Sequence, residues 1–243
     1  MPRINNKATR FYNLLMGKFL IPSIILIALI VFVDKIIHNP TFDQVIKNKS
    51  TYYHSSSRSE KLALYKSAMD VDNETTRIYA LNLAKKNPGG YNFRQVFTIY
   101  DDLINKWTYV NDPNSIDLIA SASFSIEAGF VGDCDDYAVT MATLIECIGG
   151  KTRIISASNK KSGHAYAELF VGGEQKREEV LYVINKRYMD KYPTGIPVHF
   201  SLDATGNYWL NLDWTSKHPG GKYFESEYET IYYPSENKFI FTE

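Results

Sequence analysis

Hydrophobic and polar positions change their pattern twice along this chain of 243 residues. An uncharged apolar run comes first, over residues 19–33. Apolar residues then recur every three or four positions as far as about residue 148, which is typical of helices that bury one face. Beyond that point polar and apolar residues alternate in short stretches, which indicates strands. Helices followed by strands predict an α+β fold with helices packed on an antiparallel sheet.

Four helices and six strands follow from this pattern in detail. The helices are predicted over 60–69, 74–86 and 93–107, with a fourth that begins at Cys134 and continues through the apolar residues 137–148. Asp72 or Asn73 is the candidate cap of the second helix, and Asn87-Pro88-Gly89-Gly90 ends it. The strands are predicted over 152–157, 164–171, 180–184, 208–213, 230–233 and 238–242.

The uncharged run predicts a membrane anchor over residues 19–37, preceded by a tail over 1–18. With Lys18, Asp34 and Lys35 at the interfaces, the segment reaches the about 20 residues that a spanning helix needs. No small-x-small cleavage site follows it, which argues against a removed secretory signal. The alternative, a buried core helix, would have an unusually uniform apolar surface to cover. Basic residues before the span favour a cytoplasmic N-terminus, and so an extracytoplasmic globular part.

Composition narrows the classes of partner. The chain has 27 Lys and Arg residues and 27 Asp and Glu residues, so it has no net positive charge that would favour binding to nucleic acid. Cys134 and Cys147 lie about 19 Å apart on one predicted helix and cannot form a disulfide there. Residues 38–90 are interpreted as a connector with two short helices, and 91–243 as one main domain. The oligomeric state does not follow from the sequence.

The segment around Cys134 carries the strongest candidate chemistry. Gly132-Asp133-Cys134-Asp135-Asp136 places the thiol at the N-terminus of a helix, where unpaired N–H groups favour the thiolate. Such a position can lower a cysteine pKa from about 8.5 towards neutrality. A histidine, His164, begins the strand 164–171, and Asp213 ends the strand 208–213. The three occur in the order of a nucleophile, its base and the group that orients the base. Asp203 is the alternative acid.

Four motifs follow one another along the chain: Gly132-Asp133-Cys134-Asp135-Asp136-Tyr137-Ala138, Gly149-Gly150-Lys151-Thr152-Arg153-Ile154-Ile155, Gly163-His164-Ala165-Tyr166 and Leu212-Asp213. Together with the upstream helix over 99–110, they resemble the core of the transglutaminase-like superfamily over about residues 91–220. The resemblance implies a papain-like fold in which Cys134 is the nucleophile, His164 the base and Asp213 the orienting residue. The segment 172–207 is longer than the hairpin usual there and is interpreted as a lid or a recognition element.

The expected activity is attack of Cys134 on a protein or peptide amide, through an acyl-thioester. A protease or amidase is expected rather than a cross-linking enzyme. A backbone N–H near Cys134 is the expected oxyanion donor. Trp107 is a weak candidate for a second donor and is expected instead to be a core residue. The alternative is a catalytically silent module that acts in protein–protein interaction or envelope assembly.

Acidic residues flank the thiol on both sides. Asp133, Asp135 and Asp136 are expected to favour the helix dipole, and their burial is not expected because buried charges need partners. No cofactor is expected. The alternative is calcium bound by these carboxylates, since the pattern is also similar to that of bacterial transglutaminase-like cysteine proteinases, which use calcium. Cys147 is expected to be a small buried hydrophobe, and the remaining histidines are expected at the surface, namely His38, His54, His199 and His218.

Overall fold

The structure, a computed structural model, describes residues 57–112 and 118–242. The predicted tail, the predicted anchor over 19–37 and residues 38–56 of the predicted connector lie outside these ranges, as do His38 and His54. In the ranges described, no helix combines the length and the apolar character that crossing a membrane requires.

The described residues form six α-helices, and the four predicted helices are among them. Capping boxes fix where three of them start: Ser57 and Glu60 exchange hydrogen bonds before the first, Asn92 and Gln95 before the third, and Asp133 and Asp136 before the fifth. The predicted ends agree with the observed ones to within about two residues, the usual uncertainty. The helices are α1 (Arg58–Ala68), α2 (Glu74–Ala84), α3 (Phe93–Lys106), α4 (Ala122–Glu127), α5 (Cys134–Cys147) and α6 (Glu174–Tyr188).

The later part of the chain forms an antiparallel sheet of six strands in the order β5-β6-β4-β3-β7-β8. A separate parallel pair, β1 and β2, precedes it. The predicted α+β class with an antiparallel sheet is therefore confirmed. The strands are β1 (Thr108–Tyr109), β2 (Val131–Gly132), β3 (Thr152–Ser158), β4 (Gly163–Gly172), β5 (Phe200–Leu202), β6 (Tyr208–Asn211), β7 (Tyr228–Tyr233) and β8 (Lys238–Thr242).

The predicted strand over 180–184 is wrong, because these residues lie inside α6. Val180, Ile184 and Tyr188 are its buried residues, and their spacing of four places them on one helical face. An acidic residue in the first turn and Lys186 and Arg187 in the last turn complement the helix dipole. The five residues of the predicted strand were too short a window for the helical period to show.

Helix α5 runs through the middle of the core. From Tyr137 to Ile145 it is buried on all sides, and it packs against α2, α3 and the central strand β4. Ala165, Ala167 and Leu169 form the face of β4 that joins this core, as the alternation of a strand requires. The small alanines let the helix approach the sheet closely. This packing brings the first turn of α5 to the beginning of β4.

The opposite face of the sheet contains a buried ion pair. Arg153 on β3 donates to Glu168 on β4 at 2.6 Å, and both side chains are at most 3% exposed. Arg153 also donates to the hydroxyl of Tyr233 at 2.9 Å. Glu168 accepts from the hydroxyls of Ser201 and Tyr223, each at 2.7 Å. The network ties four strands and a loop together, so the pair is compensated by hydrogen bonds on both sides.

Replacement of Glu168 by Gln is expected to destabilise the fold by about 3–5 kcal/mol, because it leaves the buried Arg153 guanidinium without its counter-charge. Urea unfolding followed by circular dichroism measures the change. Glu227→Gln is the matched control, since Glu227 pairs with the exposed Lys160 at 3.8 Å and should matter little. Equal stability of the two variants would show that the buried pair is not needed for the fold.

Candidate active site

Cys134 is the first residue of α5, as the sequence predicts. Asp133 is the N-cap: its side chain accepts from the N–H of Asp135, and the side chain of Asp136 accepts from the N–H of Asp133. This capping box satisfies N–H groups that the helix leaves unpaired. Gly132 is needed just before it, because a Cβ there would overlap the Asp136 carboxylate. The acidic residues therefore cap the helix that carries the thiol.

His164 and Asp213 form a direct pair at the same end of the sheet. The imidazole Nε2 lies 2.9 Å from Asp213 Oδ2, and the side chains are 13% and 2% exposed, respectively. The ring of Phe224 lies 5.5 Å from the imidazole ring and that of Tyr166 lies 6.0 Å from it. Because Nε2 faces the carboxylate, Nδ1 is the nitrogen that is left for a thiol. Asp213 thus holds the imidazole in one orientation.

The backbone and side chain of Asp213 are themselves held by neighbours that the sequence interpretation missed. Its N–H donates to Asn211 Oδ1 at 2.8 Å, and its carbonyl accepts from the hydroxyl of Tyr100 at 2.9 Å. Thr215 donates to the carboxylate from its hydroxyl at 3.2 Å and from its N–H at 3.3 Å. Asn211 is in turn fixed by donating to the carbonyl of Gly221 at 3.1 Å. These contacts are long-range or depend on turn geometry, so no local pattern reveals them.

The thiol of Cys134 lies against the start of β4. The backbone N–H of Ala165, the residue after His164, hydrogen-bonds to it and lowers its pKa. The chain therefore brings the predicted nucleophile next to the backbone of the predicted base, across thirty residues of sequence. Among the described contacts, no hydrogen bond joins the thiol directly to the imidazole.

The expected depression of the cysteine pKa is wrong for the protein at rest. Burial, followed by the charges of Asp133 and Asp135, raises the pKa of the Cys134 thiol to about 12. The Ala165 N–H and the ammonium of Lys61 act in the opposite direction but do not outweigh them. Cys134 is therefore a neutral thiol at neutral pH.

Two of the flanking carboxylates are buried, contrary to the expectation from the sequence. Asp135 is 3% and Asp136 5% exposed. Burial raises the pKa of Asp136 to about 7, although the N–H groups of Ala120 and Asp133 donate to it at 2.7 and 3.2 Å. Burial, with the contact to Asp133, also raises the pKa of Asp135 well above its usual range, and Lys61 opposes this shift. Hydrogen bonds from backbone N–H groups thus take the place of a counter-ion at Asp136.

Asp133, Asp135 and Asp136 each offer an oxygen within 4.8 Å of the others, and carboxylate oxygens are what calcium prefers. Asp135 Oδ1 is also buried without a hydrogen-bond partner among the described residues. The ammonium of Lys61, however, lies 3.8 Å from Asp135 Oδ2, where it would repel a dication. The donor type fits calcium, and the ammonium of Lys61 offsets one of the three negative charges of the cluster.

Two further residues considered in the sequence analysis, Asp203 and His218, have other roles in the structure. Asp203, the alternative acid, caps a turn by accepting from Thr205 and Asn207, and it accepts from the Trp209 indole at 3.0 Å. His218 is buried, not exposed, and its Nδ1 lies 3.0 Å from the carbonyl of Pro219. The residue was misjudged because a histidine gives no local signal of burial.

The segment 172–207, interpreted from the sequence as a lid or a recognition element, contributes α6 and β5. Arg187 and Tyr188 of α6 bind Asp101 on α3, and Ser201 of β5 joins the Arg153 network. In the part of the chain that the structure describes, none of its hydrogen bonds or ring contacts reaches Cys134 or His164. The segment therefore supports the sheet and α3 in this structure.

Aromatic residues line the approach to Cys134. The indole of Trp107 donates to the carbonyl of Gly132 at 3.2 Å, so that N–H is already used. Trp214 stacks on Tyr109 at 4.9 Å, and its own indole N–H is buried with no partner among the described residues. Tyr109 is 42% exposed; burial, followed by negative charge at Cys134 and Asp133, raises the pKa of its phenol. Sequence reasoning did not identify Trp214 or Tyr109.

The raised pKa of Asp136 has a consequence for stability. Its carboxyl has a pKa of about 7 when folded but about 4 when unfolded, so folding favours the protonated form. The protonated Asp136 carboxyl should therefore stabilise the fold relative to the Asp136→Asn variant. This stabilisation should be complete below about pH 4 and should be lost as the pH rises through 7. Melting temperatures of the two proteins between pH 5 and 8 measure this. A constant difference over that window would contradict the raised pKa.

Comparison with known proteins supports the family that the motifs indicate. Residues 79–183, which include Cys134 and His164 but not Asp213, match the model of the transglutaminase-like superfamily. A solved structure described as a "Putative Cysteine Protease from Cytophaga hutchinsonii" is similar with 19% identity and a TM-score of 0.35. The match covers 45% of this chain and 38% of that one. No curated protein matches the chain. The similarity of this chain to the transglutaminase-like superfamily therefore lies in residues 79–183.

Proposed function

We propose that this protein is a membrane-anchored thiol enzyme that cleaves or transfers acyl groups of protein or peptide amides. The observation that carries the proposal is the His164–Asp213 pair, 2.9 Å between Nε2 and Oδ2, beside the thiol of Cys134 at the start of α5. A nucleophile, a base and a group that orients the base are what acyl transfer through a covalent intermediate requires. The anchor rests on the uncharged residues 19–33.

The neutral resting thiol determines how the first step proceeds. Because the pKa of Cys134 is raised, the imidazole of His164 takes the thiol proton as the sulfur attacks the amide carbon. The C–S bond forms, and the carbonyl electrons move to oxygen. N–H groups at the start of α5 are the expected donors to that oxygen. His164 then gives the proton to the departing amine, and the acyl-thioester remains.

The second step decides between hydrolysis and transfer. Water or a lysine amine attacks the thioester, His164 accepts the proton of the attacking group, and the thiol is released. Water gives a carboxylate and makes the protein a protease or amidase. An amine gives a new amide and makes it a cross-linking enzyme. We favour hydrolysis, and the two products distinguish the alternatives.

A catalytically silent interaction module is the second candidate. The observation that favours it is the raised pKa of Cys134, since carboxylates beside a nucleophilic thiol oppose the thiolate. In that case the His164–Asp213 pair would serve only to hold β4 to the turn after β6. The two candidates differ in whether the thiol reacts in a manner that depends on His164.

Acylation by p-nitrophenyl acetate tests this difference in the full chain. The enzyme should release p-nitrophenol and carry one acetyl group on Cys134, located by mass spectrometry of peptides. Replacement of His164 by Ala should slow acylation of Cys134 by about 100-fold or more, the usual contribution of a general base. Asp213→Asn should also slow it, because an amide N–H donated to Nε2 favours the tautomer with a protonated Nδ1, which cannot accept the thiol proton.

Cys147 serves as an internal control in the same molecules. Its thiol donates to the carbonyl of Val71 at 3.4 Å, and burial raises its pKa to about 11, so it resembles Cys134, but no histidine is among the groups that shift its pKa. Equal and His164-independent acylation of both cysteines in folded protein would favour the silent module. Addition of a primary amine, followed by analysis of the released acetyl product, separates transfer from hydrolysis.

A further inference from the structure

Lys61 brings a positive charge to the acidic first turn of α5. Its ammonium lies 3.8 Å from Asp135 Oδ2, and the two side chains are 19% and 5% exposed. At this degree of burial a charge is screened less than at the surface. Among the described residues, this is the salt bridge that reaches the three clustered carboxylates.

Contacts on both sides of Lys61 fix its position. Arg58, at the start of α1, donates to Thr230 and stacks over the ring of Phe241 at 3.6 Å. Lys66, near the end of α1, donates to Asn237 at 3.2 Å. Between them the ring of Tyr65 is fully buried and lies 5.6 Å from the Lys61 ammonium. The helix is therefore seated on β7 and β8, with Lys61 directed at α5.

The groups around Cys134 define what this charge does. Asp133 and Asp135 lie on either side of the thiol along the chain, with Asp136 in the same turn. Tyr109 faces it from β1, and Asp112 adds a further negative charge near Tyr109. His164 lies at the start of β4, beside the Ala165 N–H that contacts the thiol. Lys61 opposes the carboxylates, since its charge lowers the pKa values of both Cys134 and Asp135.

We propose that Lys61 is the resident cation of the acidic cluster at the start of α5, and that it acts as a positioning residue which makes Cys134 more reactive than it would be beside the carboxylates alone. The role in reactivity rests on the function proposed above. Lys61 lies outside residues 79–183, so the match to the family does not supply it. An ammonium held by α1 supplies the compensation that carboxylates otherwise obtain from a bound cation.

Lys61→Met tests the proposal in the full chain, because methionine keeps the apolar stem beside Tyr65 and removes the charge. The rate at which iodoacetamide alkylates Cys134 should fall by roughly threefold to tenfold between pH 8 and 10, and the profile should shift to higher pH. Lys61→Arg should restore the rate. Lys66→Met is the matched control, since that lysine lies on the same helix but binds a neutral side chain, and it should leave the rate unchanged.

Calcium provides the second arm of the experiment. In the wild-type protein, neither calcium chloride nor a chelator should change the alkylation profile or the melting temperature. A shift caused by calcium would mean that a metal, and not Lys61, balances the cluster, and the proposal would fail. The proposal would also fail if Cys134 in the Lys61→Met variant were alkylated at the wild-type rate while the variant still melted cooperatively. Lys61→Gln replaces the methionine variant if that variant does not fold.

These readouts need no amide substrate, so the two proposals can fail separately. If Lys61 affects alkylation but Cys134 is never acylated in a manner that depends on His164, the proposed enzyme function is rejected. The proposed charge compensation by Lys61 is then retained. Acylation that depends on His164 but not on Lys61 would reject the present inference alone.

Discussion

The contact between the first turn of α5 and the first residues of β4 is the interaction on which the candidate site depends. It joins Cys134 to the N–H of Ala165 and so brings the thiol beside the backbone of His164. The buried middle of α5 fixes the helix against the helix-facing side of β4. Asp213 follows β6, whose pairing with β4 brings it 2.9 Å from the imidazole, and contacts with Asn211, Thr215 and Tyr100 hold it there. A shift of α5 by one turn would move Cys134 about 5 Å along the helix axis relative to the His164–Asp213 pair.

Electrostatics at this contact work against the simplest interpretation of a cysteine at a helix N-terminus. A helix terminus favours a negative charge by about 0.3–1 kcal/mol, and somewhat more when partly buried. The rise in the pKa of Cys134 to about 12 acts in the opposite direction and is larger, since each pKa unit corresponds to about 1.4 kcal/mol. Burial is the larger effect, and the neighbouring carboxylates add to it. A base close to the thiol is therefore more important here than the helix dipole.

The same carboxylates show how helix capping and the proposed catalysis compete for one turn of helix. Asp133 and Asp136 form the capping box that starts α5 at Cys134. Their presence makes the helix start well defined, but it surrounds the thiol with negative charge. Lys61 comes from α1, more than seventy residues earlier in the chain, and offsets part of that charge. Sequence patterns around Cys134 could not indicate this partner, because it is adjacent only in the folded protein.

The sequence by itself determined the order of elements and the identity of the candidate residues. Helical periodicity, capping residues and the four motifs are local, so they predict α1, α2, α3, α5 and most of the sheet. The tertiary structure decided what depends on neighbours: the helix at 174–188 in place of a strand, the burial of His218, and the neutral state of Cys134. Burial and long-range charge set these properties, and neither is encoded in a short stretch of residues.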